Sequence, residues 1–210
     1  MTAPEDLWRL AAAGVLGANL AVSAYYRRRA RSREPIARSA EDPRLIAARL
    51  LLAGPAAALL IAYLAVPDSL RWARLDLPGW VRAAAAIVGF ALVPLNVWIL
   101  RSIGSNISET VLTKPHHELV RRGPYARVRH PLYGAGLVLC LSLSLIAANW
   151  VLLGLTAVGG VWIRGVVVPR EERELEKRFG VRYREYRRVT GALLPRFRTT
   201  SGVIPDDHLP

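Results

Sequence analysis

The sequence predicts an all-α polytopic membrane protein. Hydrophobic residues make up 52% of the 210-residue chain, and the mean hydropathy of +0.23 is high for a soluble domain in which 21% of the residues are charged. The apolar residues form long blocks separated by Arg-rich stretches, a pattern typical of membrane-spanning helices joined by polar loops. These observations exclude most soluble fold classes.

Five apolar stretches are long enough to cross about 30 Å of hydrocarbon at about 1.5 Å per residue. The first three are residues 7–26, 45–66 and 81–100. The last two come from residues 132–168, which we divide at Ala148-Asn149-Trp150 because a polar amide and an interfacial aromatic interrupt the run there. We therefore expect five transmembrane helices, of which the last two form a tight hairpin.

The distribution of basic residues predicts the orientation of the spans. The net charge is +13, and 25 of the 29 Lys and Arg residues lie in segments 27–49, 101–129 and 164–198. Because basic residues near span ends are retained in the cytoplasm, an odd number of spans predicts an outside N-terminus and an inside C-terminus. The positive charge thus reflects topology, and nucleic acid is not a predicted partner.

Some polar side chains within the spans have structural explanations. Arg9 and Arg82 lie near span ends and are expected to extend to the interface. Asn19 and Asn96 are candidates for hydrogen bonds between helices. Arg164 lies four residues before the end of the last span, where it can either extend to the interface or turn inward towards an anionic substrate group.

No metal or redox site is predicted. The single cysteine, Cys140, cannot form an internal disulfide, and the four histidines have no cysteine partners at the spacing of a zinc site. Any chemistry must therefore come from the polar segments between and after the spans.

The first informative segment is residues 105–133, which hold three of the four histidines, two tyrosines and several prolines before the fourth span. Pro131 fits the first turn of that span, so His130 should lie close to the positive end of the helix dipole. Taken alone, a histidine beside a proline at a span end is most often an ordinary interfacial residue.

The second informative segment is residues 169–195. Its apolar residues recur at three- and four-residue steps, which predicts a cytoplasmic amphipathic helix that continues from the fifth span and is weakest at Gly180. Pro169 suits the first turn of that helix, and Glu171 and Glu172 would then meet its N-terminal dipole. A capping role alone would explain the two glutamates.

Together the two segments resemble a known family. The residues that carry the resemblance are His117-Glu118-Leu119-Val120, Gly123-Pro124-Tyr125, Arg129-His130-Pro131-Leu132-Tyr133, Glu171-Glu172, Phe179-Gly180, Tyr183, Tyr186 and Pro195. Leu175 also belongs to this set. In this order and spacing the residues are similar to the signature of the integral-membrane methyltransferases. These include the isoprenylcysteine carboxyl methyltransferases, with the phospholipid N-methyltransferases more distantly similar.

The resemblance implies a binding site for S-adenosyl-L-methionine on the cytoplasmic side of the last two spans. It assigns His117, Glu118, Leu119 and Val120 to the adenosine and places Tyr125 beside it. It also implies that the remainder of the cofactor is enclosed by His130, Pro131, Leu132 and Tyr133, and that Glu171 takes a polar group of the cofactor. A zwitterionic sulfonium cofactor near lipid needs such carboxylate and aromatic groups to accept its positive charges.

One departure from the family concerns the methyl acceptor. Four residues before the glutamate pair, the prenylcysteine enzymes carry an arginine that holds the substrate carboxylate, whereas this chain has Val167. Arg164 or Arg170 would have to replace that arginine. An acceptor with an amine or hydroxyl group would instead need a base, for which Glu172 and His130 are the candidates.

The resulting interpretation divides the chain into a three-span region (1–104), a methyltransferase core (105–197) and a tail (198–210). Its expected function is methyl transfer from S-adenosyl-L-methionine to a lipophilic small molecule or lipidated substrate that enters from the bilayer. The expected location is an integral membrane position, in the plasma membrane if the source is prokaryotic. Two alternatives are a non-catalytic membrane scaffold or transporter component, and a membrane oxidoreductase similar to the sterol reductases.

Overall fold

The computed structural model describes residues 5–31, 43–66, 68–104 and 119–196. Seven α-helices occur in these ranges: α1 (Glu5–Arg31), α2 (Pro43–Ala65), α3 (Gly79–Ile103), α4 (Pro131–Ile146), α5 (Trp150–Trp162), α6 (Val168–Phe179) and α7 (Val181–Val189). Within the same ranges there is no β-strand, and only two isolated β-bridges form. The predicted all-α fold is confirmed.

Among the described residues, four helical segments are long and apolar enough to cross a membrane: Glu5–Ala30, Ile46–Ala65, Gly79–Ile103 and Trp150–Phe179. The predicted fourth span corresponds to α4, whose 16 residues give a length of roughly 24 Å. This is shorter than the hydrocarbon core of a typical bilayer. The polytopic membrane architecture is confirmed, and the count of five spans stays a prediction.

The turn between α4 and α5 lies where the sequence predicts it. Ala148 has a φ of 48°, and the Asn149 side chain caps α5 by accepting a hydrogen bond from the Leu152 amide at 3.0 Å. The two helices are joined across the hairpin by their Ser144 and Thr156 hydroxyls, which are 3.2 Å apart.

Helix α3 packs against both α1 and α4. The predicted hydrogen bond between helices forms here, because the Asn96 amide donates to Asn19 Oδ1 at 2.7 Å and Asn19 donates to the Gly89 carbonyl at 3.1 Å. A Cβ atom at Gly89 would lie 2.6 Å from a methyl carbon of Val15. Glycine therefore permits the close approach that these hydrogen bonds require.

The expectation for Arg82 is wrong, because its side chain turns into the protein. It is 4% exposed and makes a bidentate pair with Glu5, with N–O distances of 2.9 and 2.7 Å. Its Nε also donates to the Ile146 carbonyl at 2.8 Å. A buried guanidinium needs such partners, and the carboxylate that provides them comes from the first turn of α1.

Pro169 lies in the first turn of α6 as expected, but the expectation that Glu171 and Glu172 meet a free helix N-terminus is wrong. Helix α5 continues through a π-helical turn, Ile163–Val167, directly into α6, and Val167 and Val168 keep helical φ and ψ angles. Glu171 and Glu172 are therefore inside a continuous helix and do not lie at a free N-terminal dipole. The helix ends at Gly180, whose φ of 55° separates α6 from α7 at the predicted weak point.

Candidate active site

The site begins with a junction between two segments distant in sequence. The Arg129 amide donates to the Gly191 carbonyl at 2.8 Å and the His130 amide donates to the Ala192 carbonyl at 2.9 Å. In the opposite direction, the Gly191 amide donates to the Arg127 carbonyl at 3.1 Å. These hydrogen bonds hold the chain after α7 against the start of α4.

Two glycines make the junction possible. A Cβ atom at Gly134, in the first turn of α4, would lie 2.9 Å from the Leu193 carbonyl oxygen. A Cβ atom at Gly191 would overlap the Leu194 carbonyl oxygen. Backbone atoms cannot move aside as a flexible side chain can, so both positions require glycine.

The junction places Arg129 against Glu172 of α6. Arg129 Nε donates to Glu172 Oε1 at 2.8 Å, and the two side chains are 6% and 8% exposed. Arg129 Nη1 also donates to the carbonyls of Arg187, at 3.2 Å, and Thr190. A charge-assisted hydrogen bond of this kind favours the ionised carboxylate at the buried position.

Two further groups surround the Glu172 carboxylate. Arg187 Nε of α7 lies 3.4 Å from Glu172 Oε2, and His130 Nε2 lies 3.5 Å from Glu172 Oε1. The carboxylate therefore connects the start of α4 with α6 and α7.

His130 lies between both glutamates. Its Nδ1 is 3.6 Å from Glu171 Oε2, and its ring stacks on Tyr133 with centroids 5.7 Å apart and an interplanar angle of 25°. The imidazole is 5% exposed. The neighbouring ring and the two carboxylates fix its position in the cluster.

Three buried polar atoms of this region have no hydrogen-bond partner in the described part of the chain. They are His130 Nε2, Glu171 Oε2 and the Tyr183 hydroxyl. Buried polar atoms are nearly always satisfied, so a group of three near one another indicates a place where a polar ligand can bind.

Tyrosines form another wall of the region. The Tyr186 hydroxyl donates to the Tyr125 carbonyl at 2.6 Å, and the rings of Tyr183 and Tyr186 meet edge to face with centroids 6.2 Å apart. Burial and the nearby Glu172 carboxylate raise the pKa of Tyr183 above its usual value. The Tyr183 phenol therefore stays protonated and can donate a hydrogen bond.

The described residues of the predicted cofactor site lie around the start of α4. Val120 and Leu132 pack against an apolar cluster that contains Tyr125, Leu119 is half-buried, and Pro131 is buried at the start of α4. Tyr133 stacks on His130, and Glu171 lies beside the same ring. His117 and Glu118 lie outside the described residues.

The two arginines proposed to replace the missing substrate-binding arginine are exposed. Arg164 lies in the π-helical turn and Arg170 in the first turn of α6, whereas Val167 between them is buried. Their role towards a substrate carboxylate stays a prediction.

Arg129 is the site residue that sequence reasoning did not single out. The motif places it beside His130, but its partners are Glu172, 43 residues later, and the carbonyls of Arg187 and Thr190, 58 and 61 residues later. The available signal was an arginine next to a buried helix start together with a glutamate pair far along the chain. That signal could not show which glutamate the arginine meets.

This region of the chain matches a known protein family. Residues 82–182 match the profile of the PEMT family, described as phospholipid methyltransferase. The chain resembles the membrane methyltransferases. The matched range includes most of α3, the whole α4–α5 hairpin and the glutamate pair.

A solved structure shares the fold. It is the eukaryotic intramembrane Ras methyltransferase, isoprenylcysteine carboxyl methyltransferase, with a TM-score of 0.57 and 19% sequence identity. The superposition covers 88% of this chain and 67% of that chain. At this sequence identity the similarity shows a shared fold.

The chain is also similar to YpbQ of Bacillus subtilis (strain 168), a protein described as uncharacterized. The two are 28% identical over 98 residues, which make up 47% of this chain and 57% of the relative. The chain thus matches less than two thirds of the length of that relative.

Proposed function

We propose that the protein is a membrane methyltransferase that uses S-adenosyl-L-methionine and acts on a lipophilic acceptor. The observation that carries the proposal is the junction between residues 127–130 and 190–192. It brings His130, Tyr133, Glu171 and Tyr183 into one cluster, in which three buried polar atoms have no hydrogen-bond partner within the described residues. The similarity to phospholipid methyltransferases supports the reaction type.

The residues fit this cofactor. Its sulfonium and ammonium charges need a carboxylate and aromatic faces, and its hydroxyl and carboxylate groups need donors. Glu171 Oε2 supplies a free acceptor and the Tyr183 hydroxyl a free donor. The remaining residues assigned to the cofactor are His117, Glu118, Leu119, Val120, Tyr125, His130, Pro131, Leu132 and Tyr133. When bound, S-adenosyl-L-methionine supplies an electrophilic methyl group.

The chain itself contributes burial and orientation. The cluster excludes water around His130 and Glu172, and water exclusion together with fixed geometry accelerates a direct displacement. Glu172 hydrogen-bonds Arg129, which makes it a weaker base than an unpaired carboxylate and assigns it mainly to holding the cluster together. His130 is the other candidate base for a hydroxyl or amine acceptor.

A carboxylate acceptor would need no base but would need a cation. Arg164 and Arg170 are the arginines nearest in sequence to the position of the family's substrate-binding arginine, and we propose that one of them serves such an acceptor. Because both are exposed, the acceptor would approach along the outer face of the α5–α6 helix. Identification of the methylated product in the substrate test distinguishes O-methylation from N-methylation.

We also propose that the site faces the cytoplasm. The excess of basic residues in segments 27–49, 101–129 and 164–198 supports an outside N-terminus and an inside C-terminus. The cofactor would then enter from the cytosol and the acceptor from the bilayer. In a prokaryote the membrane would be the plasma membrane.

Transfer of a labelled methyl group tests the proposal. Purified protein in lipid nanodiscs, supplied with membrane lipid extract and methyl-labelled S-adenosyl-L-methionine, should place label in the organic phase. Glu171→Gln should remove most of this activity, whereas Glu185→Gln, the same change at an exposed position on α7, should keep it.

Two results would count against the proposal. Equal transfer by Glu171→Gln and the wild type would remove Glu171 from the cofactor site. Binding of a reduced nicotinamide dinucleotide in place of S-adenosyl-L-methionine would favour the oxidoreductase alternative.

A further inference from the structure

A second polar site lies at the other end of the helical bundle. Helix α4, roughly 24 Å long by its 16 residues, separates it from His130. At this end a shallow, open recess lies between the start of α1, the end of α2 and the α4–α5 turn. Its polar lining includes Glu5, Arg9, Tyr63, Asp68, Arg71 and Arg74.

The base of the recess is a fixed network. Glu5 accepts hydrogen bonds from Arg82 and, at 3.0 Å, from the Tyr63 hydroxyl. The Arg82 guanidinium also lies 4.8 Å from the centre of the Trp8 ring. Arg82 alone neutralises Glu5, so the structural role of this pair does not account for the other arginines around the recess.

One guanidinium is in excess at the mouth of the recess. Arg71 pairs with Asp68 at 2.8 Å, and Arg9 lies 3.4 Å from Asp6. Arg74 Nη2 lies 3.7 Å from Glu5 Oε2. The negative charge of that carboxylate is already neutralised by Arg82.

The environment of Arg9 also indicates a place for an anion. Its Nε atom is buried and has no hydrogen-bond partner in the described part of the chain. A ligand with one negative charge and acceptor oxygens would complement the excess charge of Arg74 and this unsatisfied donor.

Exposed tryptophans lie near the recess. Trp72 and Trp150 are exposed beside it, with ring centroids 6.2 Å apart, and Trp80 is exposed at the start of α3. Exposed tryptophans in a membrane protein concentrate at the headgroup level, where one part of the ring is apolar and another is hydrated. At that level of a bilayer the recess would face lipid headgroups.

We infer that this recess binds the phosphodiester headgroup of a membrane lipid. Arg74 and Arg9 hold the phosphate, while Trp72 and Trp150 pack beside the glycerol and the upper acyl chain. The site lies at the surface opposite the candidate active site, and it does not depend on the proposed methyl transfer.

The test measures the thermal unfolding of the full chain in a neutral detergent at constant ionic strength. Short-chain phosphatidylglycerol should raise Tm in a saturable, concentration-dependent way, because a ligand that binds only the folded state stabilises it. Arg74→Gln should weaken the apparent affinity about tenfold, the size expected for the loss of one charge-assisted hydrogen bond. Arg101→Gln, the same change at an exposed position at the other end of α3, should leave the affinity unchanged.

Two other ligands distinguish the source of the phosphate. Inorganic phosphate and the matching short-chain diacylglycerol should each give a much smaller shift than the phospholipid. An equal shift with inorganic phosphate would show that a free anion is the ligand, and an equal shift with diacylglycerol would show that only the chains bind. Either result would overturn the inference.

Two further variants keep the inference testable if Arg74→Gln is misfolded. If Arg74→Gln lowers Tm without lipid, Arg71→Gln and Arg74→Lys provide the test. Arg71→Gln should weaken the lipid response because it leaves Asp68 unpaired beside the phosphate, and Arg74→Lys should retain most of it. Unchanged phospholipid affinity in both glutamine variants would overturn the inference.

Discussion

Arg129 organises the candidate site at the scale of single residues. One guanidinium satisfies the Glu172 carboxylate and two carbonyls that follow or lie within α7. The same contacts leave His130 Nε2 and Glu171 Oε2 unsatisfied. Arg129 thus gives the two glutamates different roles, because Glu172 is bound by the protein itself and Glu171 is available to a ligand.

Replacing Arg129 should therefore destabilise the fold. Arg129→Ala leaves the Glu172 carboxylate buried without its hydrogen-bonded cation, and the loss of one partner of a buried pair costs about 3–5 kcal/mol. Thermal or denaturant unfolding in detergent measures the change. Arg184→Ala removes a largely exposed pair with Glu176, separated by 3.6 Å, and should cost less than about 1 kcal/mol. Similar losses for the two variants would contradict the assigned role.

At the scale of elements, the decisive feature is the junction between the start of α4 and the chain after α7. Sequence patterns predicted the hinge at Asn149 and the break at Gly180, because a capping amide and a glycine act locally. The continuation of the fifth span into the amphipathic helix was also predicted, but the π-helical turn that joins α5 to α6 was not, because it has no signal in the apolar pattern. The contact of Gly191 with the start of α4 is set by tertiary structure and has no local signal.

The junction predicts unequal effects for two glycine substitutions. Gly191→Ala brings a Cβ atom into the Leu194 carbonyl, so the segment after α7 should move away from α4. We expect a lower Tm and loss of S-adenosylhomocysteine binding. Gly136→Ala, where a Cβ atom meets nothing within 4 Å, should keep binding and stabilise α4 slightly. Retention of binding by Gly191→Ala would show that the junction does not form the site.

At the scale of the whole molecule, polar contacts join α1 and α3 at two levels along the helix axes. Asn19 and Asn96 join α1 and α3 in the middle, and Glu5 and Arg82 join them at the end opposite the site. The membrane architecture and the asparagine contact could be predicted from composition and polarity. The inward turn of Arg82 could not, because an arginine near a span end has an equally simple explanation at the interface.

The charge distribution predicts that the two ends of the bundle face opposite compartments. In a Cys140→Ser background, Asp68→Cys should react with a membrane-impermeant maleimide on intact cells, because it lies at the predicted outer end. Glu185→Cys on α7 should react only after the membrane is permeabilised. Labelling of Glu185→Cys in intact cells would reverse the predicted orientation and place the candidate site outside.

The central claim is that the buried cluster around His130 binds S-adenosyl-L-methionine, and calorimetric titration with S-adenosylhomocysteine tests it most directly. The detergent-purified wild type should bind in the micromolar range, His130→Ala should bind at least about tenfold more weakly, and Glu185→Gln should match the wild type. Unfolding curves establish that each preparation is folded. Absence of binding to folded wild type, or equal binding by folded His130→Ala, would contradict the account.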